Sequence, residues 1–474
     1  MTGAASSSAA GVRLPRVLGL RDLVLLNVVG VTSLRWLATS AAAGPSVLSL
    51  WVLAALFFFV PLGLAVAELS SRHPQQGGVY AWTKAAFGEG HGFLCGWCYW
   101  VNNLLYYPNL LMASAVMATY AIGKGGTGLE DNWTYVLTAT LAMLWLATAF
   151  NVVGVGTGKW LQNVGAICLV IPGLVLIALG CYAMVTRSPA NDIAWSTVIP
   201  DLGERRELNL WASIAFAFTG IELGATMSEE VADARRTLPR SVLVSAPAIV
   251  GLYLLGTASV LWIVPSAKVN VVSGFLQALQ AGLDATGSLA WVVTLSAVLY
   301  VVSNLGGVGA WLAGPARVAF AIGLDRYFPP AFGRLHSRWK TPYVAVLVQS
   351  TLATLFLLLS VIGKGTTVEH AYLVLLDTMI LIYFIPFVYL FLVYLSDPDL
   401  RAGATTAWAR WRIRLLGMSG ILLTLLAMGL ACVPPPGTPS VWQFELKVVG
   451  GAALFVLVGG VLFWRARFRG EHSG

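Results

Sequence analysis

Apolar runs of about twenty residues recur from Leu20 to Phe468 with only short polar links between them, and this spacing permits very few folds. A bilayer core is crossed by ~20 helical residues, and lipid satisfies no backbone N–H or C=O, so such a chain must be a bundle of membrane-spanning helices. The runs number about twelve: Leu20 to Ala43, Val47 to Ser70, Gly92 to Ile122, Thr134 to Val153, Leu161 to Val185, Trp211 to Val231, Ser241 to Val264, Leu289 to Ala316, Val344 to Ile362, Ala371 to Leu395, Leu415 to Cys432 and Val448 to Phe468. With 58% hydrophobic and 11% charged residues and a mean hydropathy of +0.78, an ordinary soluble domain is excluded. Arg13, Arg16 and Arg21 lead directly into the first run without a small-residue cleavage site, so no removable signal peptide is expected. Of the 29 lysines and arginines, 21 lie on the side of both termini, seven on the other, and Arg35 within a run. The positive-inside rule then puts both termini in the cytoplasm and explains the net charge of +8 by orientation, with no nucleic acid partner.

Two runs carry a break. In the first, Leu20 to Val29 and Trp36 to Ala43 are each about two helical turns, joined by Gly30-Val31-Thr32-Ser33-Leu34-Arg35. Backbone groups freed there survive only beside protein or a cavity, and the second half-helix turns its positive dipole end into the break, a place suited to a carboxylate. The sixth run repeats the pattern: Trp211 to Thr219 is followed by Gly220-Ile221-Glu222-Leu223-Gly224, and carbonyls ending near Thr219 favour an ammonium or other cation. The breaks lie five runs apart, an odd number, so the second broken helix enters from the opposite face, as in inverted-topology repeats with a site at the midplane.

Further stretches resemble one family. Ala67-Glu68-Leu69, Gly77-Gly78-Val79-Tyr80 with Trp82, Ala86-Phe87-Gly88, Phe216 to Glu222, Glu229-Glu230-Val231 with Pro239-Arg240, Arg317, Leu324 to Pro329, and Lys340-Thr341-Pro342 together resemble the amino acid, polyamine and organocation transporters. Phe58-Phe59-Val60-Pro61 and Gly96 to Trp100 tilt the resemblance toward the branch of glutamate/γ-aminobutyrate antiporters and polyamine carriers. The resemblance implies an all-α integral membrane protein with a LeuT-like 5+5 inverted repeat, broken helices 1 and 6, and two C-terminal helices. On that reading residues 1–19 are a cytoplasmic tail, 20–190 the first repeat, 205–396 the second, 410–468 helices 11 and 12, and 469–474 a second tail. Departures are the first-break sequence, which is not the family's Gly-Ser-Gly-Ile-Phe type, and Asn163 to Leu169, which lacks the fifth-helix lysine of some proton-coupled members. No sodium-binding pair of hydroxyls is evident around Ser303 and Asn304.

Three charges lie deep within runs: Arg35, Glu222 and Asp377. Each isolated charge costs ~2.5–3.5 kcal/mol on insertion scales and therefore needs a partner or a wet cavity. Arg35 reads as a substrate-carboxylate clamp or a structural partner of Glu222 or Asp377; Glu222 reads as an amine ligand, proton carrier or helix cap. The substrate-binding candidates are Gly30, Val31, Thr32, Ser33, Arg35, Asn102, Tyr106, Phe216, Phe218, Thr219, Gly220, Glu222 and Asn304, with Arg35, Glu222 and Asp377 as the coupling or ion-pair set. Most of the 18 tryptophans read as interface anchors. Cys168, Cys181 and Cys432 read as small packing residues, and Cys95-x-x-Cys98 lacks the setting of zinc or redox chemistry.

The function that follows is secondary active transport of amino acids by alternating access across the cytoplasmic membrane, with a polyamine or other amine, or amino acid sensing without transport, as alternatives. An enzyme is disfavoured because His73, His91, His336, His370 and His472 all fall in loops or tails. No cofactor or metal is expected; the partners are a small-molecule substrate and membrane lipid, with a coupling proton and a monomer or homodimer left open.

Overall fold

A computed structural model describes residues 14–125, 127–200, 205–284, 290–361, 368–434 and 440–471. Arg13, Lys364, His472 and the outer parts of both tails lie outside the described residues; at His370 only the backbone is described. The regular structure among these residues is helical, apart from one isolated bridge between Leu18 and Val231. Nine helical segments among them are long and apolar enough to cross a membrane.

The first apolar run forms α1 (Leu20–Val31) and α2 (Arg35–Ala41), separated by three non-helical or turn residues. Then come α3 (Val47–Arg72), α4 (Val79–Phe87), α5 (Glu89–Ala121), α6 (Trp133–Val153) and α7 (Val155–Thr186). The second half begins with α8 (Arg205–Ala217) and the single turn α9 (Leu223–Thr226). It continues through α10 (Ala234–Ile263), α11 (Gly274–Asp284), α12 (Ala290–Leu324), α13 (Tyr343–Val361) and α14 (Val368–Ser396). Two further helices, α15 (Ala407–Ala431) and α16 (Val441–Glu471), pack on α14. Three apolar runs fall outside the nine: α5, whose 33 residues include Asn102, Asn103 and Asn109, the interrupted α8 and α9, and α13, whose apolar part is Tyr343–Leu358.

Local chemistry sets the ends and bends. Asn132 caps α6 by accepting from Tyr135 N–H at 3.2 Å, and Thr406 caps α15 through Ala409 N–H at 3.1 Å. Within α3 the chain widens to a π turn over Ala55–Phe59. Pro61 explains it: proline has no N–H for the Phe57 carbonyl, and Ser419 on α15 donates its hydroxyl there at 2.6 Å. That bulge turns Phe58 and Phe59 wholly inward.

The central contact is α12 against α7 and α5. Gly165 and Gly306 make it possible, since a Cβ on either would stand 2.7 Å from the other's Cα, and small residues are what allow lipid-embedded helices to approach so closely. The 18 tryptophans differ sharply in burial. Trp36, Trp51, Trp82, Trp97, Trp100, Trp211 and Trp311 are buried, whereas Trp160, Trp195, Trp291, Trp408, Trp442 and Trp464 are at least 62% exposed. Only these six, with Trp145 (40%) and Trp411 (50% exposed), can be an interface belt. Cys168 is buried, but Cys181 is exposed on the outside of α7, so its packing role does not hold.

Candidate functional site

The two breaks meet. Gly220 has φ +112°, and a Cβ there would lie 2.8 Å from the Gly30 carbonyl oxygen. Only glycine lets the two interrupted helices touch at this point. Their directions are opposite: the bridge from Leu18 to Val231, with Val17 and Leu18 N–H on the Glu230 carbonyl (2.9 and 3.0 Å) and Ala232 N–H on the Leu18 carbonyl (2.9 Å), joins the start of α1 to the chain beyond α9. The first broken helix therefore runs inward from the face where the second runs outward.

Side chains from the scaffold satisfy the freed backbone. Tyr253 on α10 directs its hydroxyl at the Val31 carbonyl (2.7 Å) and the Ala217 carbonyl (3.0 Å), one from each break, and accepts from Ser33 N–H at 3.3 Å. Trp311 on α12 donates to the Gly30 carbonyl at 2.9 Å. The second break is pinned by Glu222 itself: one carboxylate oxygen accepts from Gly220 N–H at 3.0 Å and the other from the hydroxyls of Tyr99 (3.2 Å) and Tyr383. Those three donors explain how a fully buried carboxylate is tolerated.

Helix α5 presents a stripe to the breaks. Tyr99, Asn102, Tyr106 and Asn109 follow at three- and four-residue intervals, hence on one helical face. Tyr99 reaches Glu222, Asn109 accepts a hydrogen bond from the Arg35 guanidinium, and Tyr106 lies under that guanidinium at 5.7 Å. A closed circuit of ring contacts results. Trp36 meets Phe216 (6.1 Å), Phe216 meets Tyr383 (5.9 Å), Tyr383 meets Trp311 (5.6 Å) and Trp311 meets Tyr106 (5.0 Å). Arg35, over Tyr106 and 4.6 Å from the Trp36 ring, completes it. Asn102 is wholly buried with neither side-chain polar atom hydrogen-bonded, and the Thr32 and Ser33 hydroxyls are likewise buried without partners among the described residues. Buried polar groups of this kind are rare unless something else binds them.

The candidates read from the sequence thus divide. Gly30, Val31, Thr32, Ser33, Arg35, Asn102, Tyr106, Phe216, Gly220 and Glu222 come together around the breaks. Thr219 turns its hydroxyl back onto the Phe216 carbonyl at 2.7 Å. Phe218 points into the scaffold, packed on Trp51 (5.1 Å), Phe59 (4.7 Å) and Tyr253 (5.4 Å). Asn304 donates to Ser114 at 2.6 Å between α12 and α5. Asp377 is buried on α14 next to Thr378, whose methyl faces Gly451 on α16. Sequence reasoning missed Tyr253, Trp311, Tyr383, Tyr99 and Asn109. Tyr99 and Asn109 were findable from the helical spacing around Asn102 and Tyr106; the other three carry no local signal.

The face holding the N-terminal segment is closed by ion pairs. Arg317 on α12 forks onto Glu230 (3.1 and 3.3 Å), both buried, and donates to the Ala313 carbonyl. Lys159 bonds the Val17 carbonyl (3.0 Å) and Asp22 (3.3 Å), Lys84 pairs with Asp325 at 2.7 Å, and Arg412 pairs with Glu68 at 2.7 Å. Burial and then the adjoining Asp325 carboxylate push the Tyr80 phenol above its ordinary pKa, so it stays a donor to Asp325. Gly77 N–H bonds the Thr226 carbonyl at 3.1 Å, fastening the loop before α4 to α9.

Comparison with known proteins agrees with this architecture. Residues 18–458 match the family described as amino acid permease. The chain belongs to that family. Permeases of this family are secondary transporters rather than enzymes. An uncharacterized transporter of Legionella pneumophila is 31% identical over 454 residues, covering 94% of this chain and 96% of its own. A probable agmatine/putrescine antiporter of Lactococcus lactis is 22% identical over 430 residues, 90% of each chain. The crystal structure of MhsT in complex with L-phenylalanine superposes with a TM-score of 0.67 at 15% identity, over 88% of this chain and 100% of that one, which shows the LeuT-like fold.

Proposed function

We propose that this permease carries an amino acid by alternating access, bound between the two breaks inside the circuit of Trp36, Phe216, Tyr383, Trp311 and Tyr106. The observation that carries the reading is the set of buried, unpartnered polar groups there, Asn102 and the Thr32 and Ser33 hydroxyls, which a ligand's carboxylate and amine would satisfy. In this reading the carboxylate meets Arg35 and the first break, and the ammonium meets the aromatic faces and Glu222. Residues 20–190 and 205–396 act as the two inverted repeats, rocking about this site, with the remaining apolar helices bringing the spans to about twelve.

The cytoplasmic membrane with both termini inside is part of the same proposal. Its support is that Lys84, Lys159, Arg317 and Arg412 form their ion pairs on the face of the N-terminal segment. A proton or a second solute is the proposed coupling partner. One observation favours a second reading, exchange of an amine: the Glu222 carboxylate accepts from the Tyr383 hydroxyl, and the Tyr383 ring in turn meets Phe216, a carboxylate joined to aromatic faces that attracts ammonium groups.

Ligand-dependent stabilisation of the purified protein across amino acids and diamines separates the two, since a ligand at 100 times its Kd stabilises by ~2.7 kcal/mol. Arg35→Ala is expected to abolish stabilisation by carboxylate-bearing ligands and spare diamines. Glu222→Gln can keep its bonds, because the phenols of Tyr99 and Tyr383 can turn to accept from the new amide, so it should fold and lose at least ~10-fold in amine affinity. Equal loss of both ligand classes in Arg35→Ala would assign Arg35 to scaffolding and sink the clamp.

A further inference from the structure

Away from the breaks, α14 ends at Ser396 and α15 starts at Ala407, joined through a turn of helix at Pro398–Gly403. The angle between them holds a cleft of about 490 Å³. Arg401, Arg410 and Arg414 line it over a floor of Leu395, Ile413 and Met418. Arg410 and Arg414 stand four residues apart on one face of α15, where like charges repel. No carboxylate lines the cleft, and the ion pairs of the described residues use none of these three arginines. The neighbouring Arg412 points elsewhere, to Glu68. Arg401 is held in place by its Nε–H on the Leu395 carbonyl at 2.8 Å.

The surroundings identify what would neutralise them. The rings of Trp408 and Trp411 stack at 5.1 Å beside the cleft and are 67% and 50% exposed. Along the rest of α15, Leu415, Met418, Leu422 and Leu425 are each at least 47% exposed. This is a lipid-facing helix with an aromatic belt at its start, and the cleft opens where that belt meets the basic face of the molecule. A ligand with an anionic head and apolar chains matches both the arginines and the floor. A free phosphate matches only the arginines.

We propose that this cleft binds the phosphate headgroup of an anionic phospholipid, whose acyl chains lie along Met418 and the exposed face of α15. The forked guanidiniums suit phosphate oxygens, and basic pockets between membrane helices on the positive face are where such headgroups bind. Occupancy would brace α15, which also holds Glu68 through Arg412 and the Phe57 carbonyl through Ser419, against α3 and α14.

The test is native mass spectrometry of the full chain released from nanodiscs containing equal phosphatidylglycerol and phosphatidylcholine. The wild type is expected to retain phosphatidylglycerol preferentially. Roughly fivefold per charge near a membrane surface predicts a loss of ~100-fold in that retention for the combined Arg401→Gln, Arg410→Gln and Arg414→Gln variant. A control carrying Arg334→Gln, Arg338→Gln and Lys340→Gln, three exposed bases elsewhere in the chain, should retain the lipid. If the triple variant does not fold, Arg414→Gln alone, which makes no hydrogen bond or ion pair among the described residues, should lower retention about fivefold. Equal retention of both lipids, or equal loss in the control, would overturn the proposal. So would thermal stabilisation by inorganic phosphate in lipid-free detergent with no retained lipid, which would make this an anion site.

Discussion

Tyr253→Phe removes one oxygen and tests whether the two breaks are held as a unit. The ring stays: it stacks on Trp51 at 4.4 Å and meets Phe218 edge-on, contacts that phenylalanine reproduces. What is lost is a hydroxyl serving the Val31 and Ala217 carbonyls and the Ser33 N–H, all buried. A hydroxyl has one proton, so at any instant it donates to one carbonyl and accepts from the amide. Two bonds are therefore lost together, and each buried group left unsatisfied costs ~1–3 kcal/mol. Relaxation of the loop offsets part of this, leaving an expected ~2–4 kcal/mol. Equilibrium unfolding in mixed micelles reads the loss directly, with Tyr120→Phe, a tyrosine remote from the breaks, as the reference. A change below ~0.5 kcal/mol, within the spread of ordinary surface substitutions, would show that the breaks do not depend on this phenol.

Two further substitutions probe the same frame. Gly220→Ala adds a methyl 2.8 Å from the Gly30 carbonyl oxygen and 3.0 Å from the Trp311 ring at a φ of +112°, and should cost at least ~2 kcal/mol and abolish ligand stabilisation; wild-type ligand stabilisation in that variant would show that the helices need not touch. Glu230→Ala strands the Arg317 charge in a buried place and should cost ~3–5 kcal/mol, most of it regained when Arg317→Met is added. Failure of the second change to rescue would show that a stranded Arg317 charge is not what the Glu230→Ala variant loses stability to.

Much of this molecule is legible along the chain, for definite reasons. Lipid forces each apolar run to be helical, so the order of helices follows from hydropathy, and Gly30 to Ser33 and Gly220 to Glu222 announce breaks because polar, flexible passages have no other business at that depth. Buried charges are rare enough in membranes that Arg35 and Glu222 identify themselves. Spacing on a helix, known in advance, also orders Tyr99, Asn102, Tyr106 and Asn109 as one stripe.

Distance across the fold is another matter. Tyr253, Trp311 and Tyr383 lie on three different helices, and each is one aromatic among many apolar neighbours; nothing near them in the chain separates a residue that pins a break from one that faces lipid. Phe216 and Phe218 show the same limit at two residues' separation, since only the turn at the end of α8 decides that one joins the aromatic circuit and the other the scaffold. Hydropathy and residue type determined the helices, the breaks and the buried charges, because they depend on the local balance between backbone and lipid. Which side chain answers each freed carbonyl, and that Arg35 rests on Trp36 and Tyr106 while Glu222 rests on two phenols, was decided only when helix packing brought distant segments within hydrogen-bonding reach.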